Sequence, residues 1–498
     1  MNNGKPLPVL LFFAAFLFSF TSSESSRTAT SLKTAVEQFS RDPALKHASW
    51  GVCVVDVASG QTLVSHQEDL GLVPASTQKI LTTASALLML GPEYRYETSL
   101  GYSGKLDADG TLHGDLVIRG SGDPAFGSSN LHDSLSLNRV YARWLKDMQA
   151  AGIKRISGRV IADANVFDDE LIPRKWIWED MGNYYGAGAS GLTANDNLYT
   201  VYFKPAQTEG LPAAVLFTEP AVPGMELINQ VTTGKRGSGD QVYIFGGPYQ
   251  MQRTLKGTVP LGSNNFPVKG SIPDPPFFVA ASFSEFLSKI IPDSEILAVS
   301  VRDLKAEEIT RLKSVQLLST WTSPPLASLA GHTNLNSVNT YAENLLKTIG
   351  RILKGEGSTD AGIKAMKEYW DERGLDTRGM FLYDGSGLSP SNRLTAKQLT
   401  TTLRITAQSS VGETFISGLP LAGRTGSIAG SFKGTPSENV LRAKSGYLAN
   451  ARSYAGYTRS RDGKTLAFAL IVNNYEGSPA SMREKMTSLM DAITRYNQ

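Results

Sequence analysis

Three short patterns in this chain place side chains that could carry out acyl transfer. The first is Ser76-x-x-Lys79. Three residues apart on a helix, the two side chains share a face. A serine hydroxyl is a weak nucleophile until a base takes its proton, and an uncharged lysine amine can be that base. A helix N-terminus adds positive potential that favours the developing alkoxide. Holding a lysine neutral near pH 7 costs about 4–5 kcal/mol, because its free pKa is about 10.4. Burial and a second cation nearby are the usual sources of such a shift. The pattern therefore asks for a second lysine in the same site. Ser-x-x-Lys occurs at this one place, where it opens an apolar helical stretch. Taken alone it also fits a plain helix cap with an exposed lysine.

The second pattern, Ser-x-Asn, is degenerate: Ser128, Ser136, Ser263 and Ser337 all begin one. Of these four, Ser337-x-Asn339 lies in the helical second half of the chain, beside an amphipathic stretch. A hydroxyl there could relay a proton to a leaving amine, and the amide of Asn339 can both donate to and accept from a peptide backbone. Ser337 on its own fits a helix start equally well. The third pattern is Lys444-Ser445-Gly446. A cation with a hydroxyl suits a substrate carboxylate, and glycine lets a ligand approach a strand closely. Arg424-Thr425-Gly426 has the same three properties. Lys444 is preferred because two strand-like segments follow it, which would place it on a sheet edge.

These groups need a scaffold. Residues 49–57 and 61–66 read as a hairpin joined by Ala58-Ser59-Gly60. The apolar helix after Pro74 ends at Gly91-Pro92. From about 95 to 284 short strand-like runs alternate with Gly, Pro, Asn and Asp, so this segment reads as β-rich. Helical patterns return over 337–353, 359–373 and 395–405. Strands follow at 439–446, 452–459 and 464–473, and a helix opening at Ser478-Pro479 closes the chain. Strands at both ends thus bracket the middle. The economical organisation is one α/β domain built from 24–94 and 285–498, with one or two β-rich domains inserted at 95–284.

Composition narrows the function. Lys+Arg 49 against Asp+Glu 46 leaves +3, too little for an electrostatic case for nucleic acid. With 41% hydrophobic residues the chain can bury large cores. One cysteine, Cys53, excludes an internal disulfide framework and a multi-cysteine metal cage. It lies in a strand-like apolar run and reads as core. No metal and no cofactor is expected. Val9 to Phe20 is an apolar run after Lys5, followed by Thr21-Ser22-Ser23. That order reads as a secretory signal over residues 1–23, and it is shorter than the roughly 20 apolar residues of a membrane span. The mature chain is then expected in the periplasm or another extracytoplasmic space. Membrane-surface contact stays open, and the sequence is silent on oligomeric state.

The order Ser76-x-x-Lys79, Ser337-x-Asn339, Lys444-Ser445-Gly446 resembles the penicillin-binding serine peptidases. More narrowly it resembles the D-alanyl-D-alanine carboxypeptidase/endopeptidase family, S13, of the class C low-molecular-mass penicillin-binding proteins. The gap of 261 positions between the first two motifs (337 − 76) separates that family from β-lactamases, where it is short. Gly120-Ser-Gly-Asp-Pro124, Asp384-Gly-Ser-Gly-Leu-Ser389 and Leu419-Pro-Leu-Ala-Gly423 are further family-like segments. The resemblance implies a transpeptidase-like fold, an antiparallel sheet flanked by helices, acting on peptidoglycan stem peptides. It implies Ser76 as acylated nucleophile, Lys79 as base, Ser337 and Asn339 as the second element, and Lys444 and Ser445, beside Gly446, for the terminal carboxylate. The backbone N–H groups of Ser76 and Tyr447 would form the oxyanion hole, and β-lactams would acylate Ser76. Asp163 and Phe167 would match residues that read the stem-peptide side chain. Pro390 and Ala449 stand where that pattern has Arg and Gln, with Arg393 close by as a substitute. Alternatives on the same fold are a β-lactamase or esterase, or a non-catalytic peptidoglycan-binding protein. The long gap and the lack of an obvious deacylating Glu motif argue against the first. The intact Ser76, Lys79 and Lys444 argue against the second.

Overall fold

A computed structural model of the chain describes Met1, residues 31–291 and residues 296–497. The expected signal segment, apart from Met1, lies outside the described residues. The strands expected from the sequence at the two ends form one five-stranded antiparallel sheet. Its order is Arg442–Leu448, Ala451–Arg459, Thr465–Asn473, Ser49–Asp56, Thr62–His66. The two halves of the chain meet where Ser49–Asp56 pairs with Thr465–Asn473.

Both faces of this sheet are apolar, because neighbouring residues of a strand point to opposite sides. On one face Val52, Val54, Leu466, Phe468 and Leu470 pack with Val36, Phe39, Met486 and Ile493 of the helices Leu32–Ser40 and Pro479–Thr494. On the other, Cys53, Val55, Ala467, Ala469 and Ile471 pack with Ile80, Leu345 and Leu399. Those three belong to the helices Lys79–Leu90, Asn339–Lys354 and Ala396–Ala407. Cys53 is a buried free thiol, as its apolar run implied, and burial pushes its pKa up to about 12. Truncating a wholly buried sheet residue such as Leu470 to alanine costs about 2–5 kcal/mol.

The intervening segment contains small β-sheets and two long helices, Leu137–Ala150 and Pro275–Ser288. The strands Glu97–Tyr102, Leu116–Arg119 and Arg159–Asp163 pair with one another. Two strands that follow residue 285, Leu297–Ser300 and Gln316–Thr322, join this same sheet at its two edges. Their sequence pattern is short, and only tertiary pairing assigns them there. The strands Leu198–Lys204 and Phe266–Ser271 pair nearby and share a core with the larger sheet.

Candidate active site

Ser76 sits in a 3-10 turn, Ala75–Gln78, that leads directly into the buried helix Lys79–Leu90. Neither this turn, with Pro74 at its N-cap, nor the helix after it, with Gln78 at its N-cap, is closed by a side-chain capping hydrogen bond. The residue before Ser76, Ala75, has φ 46°, a left-handed conformation that is strained for a residue with a Cβ. Gly387 accounts for part of that local geometry. A Cβ at 387 would lie 2.0 Å from the Ala75 carbonyl oxygen, so only glycine lets this loop cover the turn.

Lys79 is wholly buried. Its Nζ donates to Ser76 Oγ at 3.0 Å, to Asn339 Oδ1 at 2.6 Å and to the Ser386 carbonyl at 2.8 Å. Burial lowers its pKa to about 7, against the opposing charges of Glu343 and Asp384. Lys444 is also fully buried and lies on the sheet edge, in the strand Arg442–Leu448. Its Nζ donates to Ser337 Oγ at 2.9 Å and to the Ser445 carbonyl at 2.6 Å. Burial, and then the Lys79 charge, hold its pKa well below the ordinary lysine value. The second lysine that a neutral Lys79 calls for is therefore present.

Ser337 is not inside a helix. It has φ 59° and ends the helix Leu326–Asn336, and the next helix begins at Asn339. That left-handed residue turns the chain so that Ser337 faces Lys444 while Asn339 faces Lys79. Asn339 is fixed from behind, because its Nδ2 donates to the Tyr185 carbonyl at 2.7 Å. Gly446 sets the approach of the sheet edge to the serine turn. A Cβ there would lie 2.3 Å from Ser453 Oγ and 3.0 Å from the Ser76 amide nitrogen. Next to it Tyr447 is exposed, and Ser445 Oγ contacts Ser427 Oγ at 2.7 Å. The rival cation Arg424 turns instead to Glu438, 3.4 Å away, with more than half its side chain exposed.

Asp163 and Phe167 do not join this cluster. Arg119 Nε donates to Asp163 Oδ2 at 3.0 Å, and the Asn165 amide caps its other oxygen. Phe167 is buried against Gly122 and Gly357, where it fills the space a Cβ would need. Arg393 folds back on its own loop, onto the Pro390 and Asn392 carbonyls.

The structure adds three acidic groups that motif spacing does not single out. Glu343, one helical turn beyond Asn339, is buried and accepts from the Gly385 and Ser386 amides at 2.8 Å each. Burial, and the nearby Asp384, push its pKa up to about 8. Asp384 accepts from Gln78, Trp176, Gly387, Ser389 and Asn392. It thereby ties the turn after Ser76, the Asp384–Ser389 loop and the intervening segment into one unit. Asp180, raised to about 6 by burial first and Glu179 second, hydrogen-bonds Tyr185, the residue that holds Asn339. The Asp-Gly-Ser-Gly-Leu-Ser run was the visible signal for Asp384. A lone Glu or Asp in a helical or loop pattern carries none.

The Ser76 hydroxyl, a buried amine of lowered pKa and a second buried lysine on a sheet edge thus meet in one place. The family model of the D-Ala-D-Ala carboxypeptidase 3 (S13) family matches residues 32–496. The chain belongs to that family. Two curated relatives span nearly the whole chain. The D-alanyl-D-alanine carboxypeptidase of Actinomadura sp. (strain R39) is 30% identical over 94% of this chain and 85% of its own length. The D-alanyl-D-alanine carboxypeptidase DacB of Haemophilus influenzae is 23% identical over 88% of each chain. The crystal structure of penicillin binding protein 4 (dacB) from Haemophilus influenzae matches with a TM-score of 0.80 at 22% identity. That match covers 93% of this chain and 99% of that one. A structure of the same protein complexed with a novel β-lactam matches with a TM-score of 0.75. The fold is that of the penicillin-binding proteins, with its antiparallel sheet and flanking helices.

Proposed function

We propose that this S13-family chain is a penicillin-sensitive serine peptidase that hydrolyses the D-Ala-D-Ala bond of peptidoglycan stem peptides. The observation that carries this reading is Lys79 Nζ, buried and 3.0 Å from Ser76 Oγ, with a pKa lowered to about 7. A base poised near the working pH is what proton abstraction from a serine requires.

The steps follow from the groups present. Lys79 takes the Ser76 proton as Oγ attacks the peptide carbonyl. The oxyanion is placed against the Ser76 and Tyr447 N–H groups, where losing one donor costs about 2.7–4 kcal/mol. The C–N bond breaks, and the leaving amine takes its proton by way of Ser337. Water then attacks the acyl-enzyme, which releases the shortened peptide and restores the serine. Lys444 and Ser445, beside Gly446, receive the terminal carboxylate. That carboxylate draws a proton to Lys444, since an opposite charge favours the charged form. A charged Lys444 in turn keeps Lys79 neutral. Substrate binding thereby readies the base.

Asp163 and Phe167 are the weakest members of the proposed site, and their partners suit a role in shaping the intervening segment. Extracytoplasmic location rests on the leader-like residues 1–23. Among the described residues no helix is long and apolar enough to cross a membrane.

A fluorescent penicillin should label the wild type covalently and leave Ser76→Ala unlabelled. Mass spectrometry of purified muropeptides should show loss of a terminal D-alanine. Labelling of both proteins would move the nucleophile elsewhere. Rapid turnover of the penicillin without peptide hydrolysis would favour a β-lactamase.

A further inference from the structure

The intervening segment carries a three-stranded sheet with one buried and one open face. Its order is Glu226–Gly234, Gln252–Pro260, Gln241–Phe245. Alternate residues of a strand point to opposite sides. Val231, Leu255, Val242 and Ile244 point into the core shared with the neighbouring sheets. Tyr243 and Phe245 point the other way, and Tyr243 is 44% exposed. The indole of Trp178, 54% exposed, comes alongside them. Its ring centroid lies 6.4 Å from that of Phe245, which lies 6.4 Å from that of Tyr243, with tilts of 33° and 32°. Folding gains most from burying such large rings, so rings left open side by side mark a contact surface.

The residues around the rings are polar and balanced in charge. Thr254 lies opposite Phe245, and Lys256 lies opposite Tyr243. Gln230 stands beside Lys256 on the third strand, and Glu226 stands at the outer corner. Lys256 Nζ is 5.8 Å from the Phe245 centroid, over that ring, which leaves Trp178 and Tyr243 as the open stacking faces. Among the strand residues of this face Glu226 and Lys256 carry charge, one of each sign. A polyanion therefore gains little here. A sugar ring fits better: it offers a flat C–H face to an aromatic ring, with hydroxyl and amide groups at its edge for a threonine or glutamine to meet.

Two connections fasten this face to the cluster around Ser76. The Ile244 amide donates to Asn183 Oδ1 at 3.2 Å, and Asn183 leads into the turn Tyr184–Gly186, whose Tyr185 carbonyl holds Asn339. The Tyr185 phenol has its pKa raised by burial first, then by Asp180 and Tyr243, so Tyr243 stands near it. On the other side Trp176 Nε1, two residues before Trp178, donates to Asp384 Oδ2 at 2.8 Å. Asp384 in turn accepts from Gln78, next to Lys79. A ligand on the rings is thus held in fixed register with the nucleophile. We propose that this face seats the glycan strand that carries the stem peptide, with N-acetylated amino sugars stacked on Trp178 and Tyr243 and their acetamido and hydroxyl groups on Gln230 and Thr254. The inference rests on the peptidase reading, because the substrate of that reading is what brings such a strand to the site. The face touches none of the reacting atoms. It favours stems still attached to glycan over free peptides.

The test titrates the full chain with a soluble tetramer of N-acetylglucosamine and reads binding by calorimetry. The wild type should bind. Trp178→Ala and Tyr243→Ala should each weaken binding about tenfold or more, as loss of an aromatic anchor does, and Tyr243→Phe, which keeps the ring, should stay within about threefold of wild type. A second measurement is kcat/KM for D-alanine release from pentapeptide stems on intact glycan strands, relative to release from free pentapeptide. Both alanine variants should lower that ratio about tenfold. Their acylation by penicillin and their activity on free pentapeptide should match the wild type, which shows that they fold. A wild type that does not bind the tetramer, or alanine variants that bind it equally well, would overturn the inference. A wild-type dimer that the same substitutions turn into monomer would also overturn it, by assigning the rings to a second copy of this chain. Absence of D-alanine release from free pentapeptide by the wild type would overturn the peptidase reading, whereas ring-dependent binding of the tetramer would still support this face as a glycan site.

Discussion

The base role of Lys79 can be tested by changing its charge environment without touching it. Asn339 Oδ1 lies 2.6 Å from Lys79 Nζ. Asn339→Asp places a carboxylate at that distance. At 2.6 Å the Coulomb attraction is about 1.6 kcal/mol in water and about 6 kcal/mol at an effective dielectric of 20. An opposite charge this close raises a lysine pKa by about 1–3 units. The wild-type value is about 7, so about half of Lys79 is neutral at pH 7. In the variant the neutral fraction falls to about 10–0.1%, and acylation at pH 7 drops about 5–500-fold. The direction is fixed by the chemistry. A base works when deprotonated, so a raised pKa moves the rising limb of the profile to higher pH. The assay is stopped-flow acylation by a fluorescent penicillin from pH 5 to pH 10, with spontaneous hydrolysis subtracted. Wild type should rise through about pH 7 and then level. The variant should rise through about pH 8–10 and recover much of its rate at the top. The variant also sets an acceptor against the Tyr185 carbonyl, where Asn339 now donates at 2.7 Å. That damage lowers the rate at every pH and does not move the midpoint. A variant midpoint at or below the wild-type midpoint would refute Lys79 as the base.

Gly446→Ala puts a Cβ 2.3 Å from Ser453 Oγ and 3.0 Å from the Ser76 amide, so the strand must shift away from the nucleophile. Loss of one oxyanion donor corresponds to about 100–1,000-fold in acylation. A rate within threefold of wild type would show that the strand edge does not form the oxyanion hole. Asp163→Asn weakens the pair with Arg119 and leaves the cluster around Ser76 intact. Stem-peptide kcat/KM should stay within about threefold, and a tenfold loss would return Asp163 to a direct substrate role.

The proposed trio Ser76, Lys79 and Lys444 was legible in the chain because chemistry restricts residue types and helical spacing brings Ser76 and Lys79 together locally. The central sheet was legible too, since two of its inner strands, Ser49–Asp56 and Thr465–Asn473, are buried on both faces and read as near-continuous apolar runs at the two ends of the chain. Lys444 and Arg424 differ in the one property motifs lack, burial: Lys444 is enclosed, while Arg424 is more than half exposed. Leu297–Ser300 and Gln316–Thr322 follow the segment whose sheet they join, and short strands carry no mark of their partner.

Local sequence determined which groups could react, and which helix and strand would carry them, because side-chain chemistry and backbone periodicity act over a few residues. Tertiary structure alone set the lowered pKa that the proposed base role of Lys79 requires. Its pKa balances desolvation against Glu343 and Asp384, 264 and 305 positions away (343 − 79 and 384 − 79). Electrostatic energy depends on distance and dielectric in space, and neither is written along the chain.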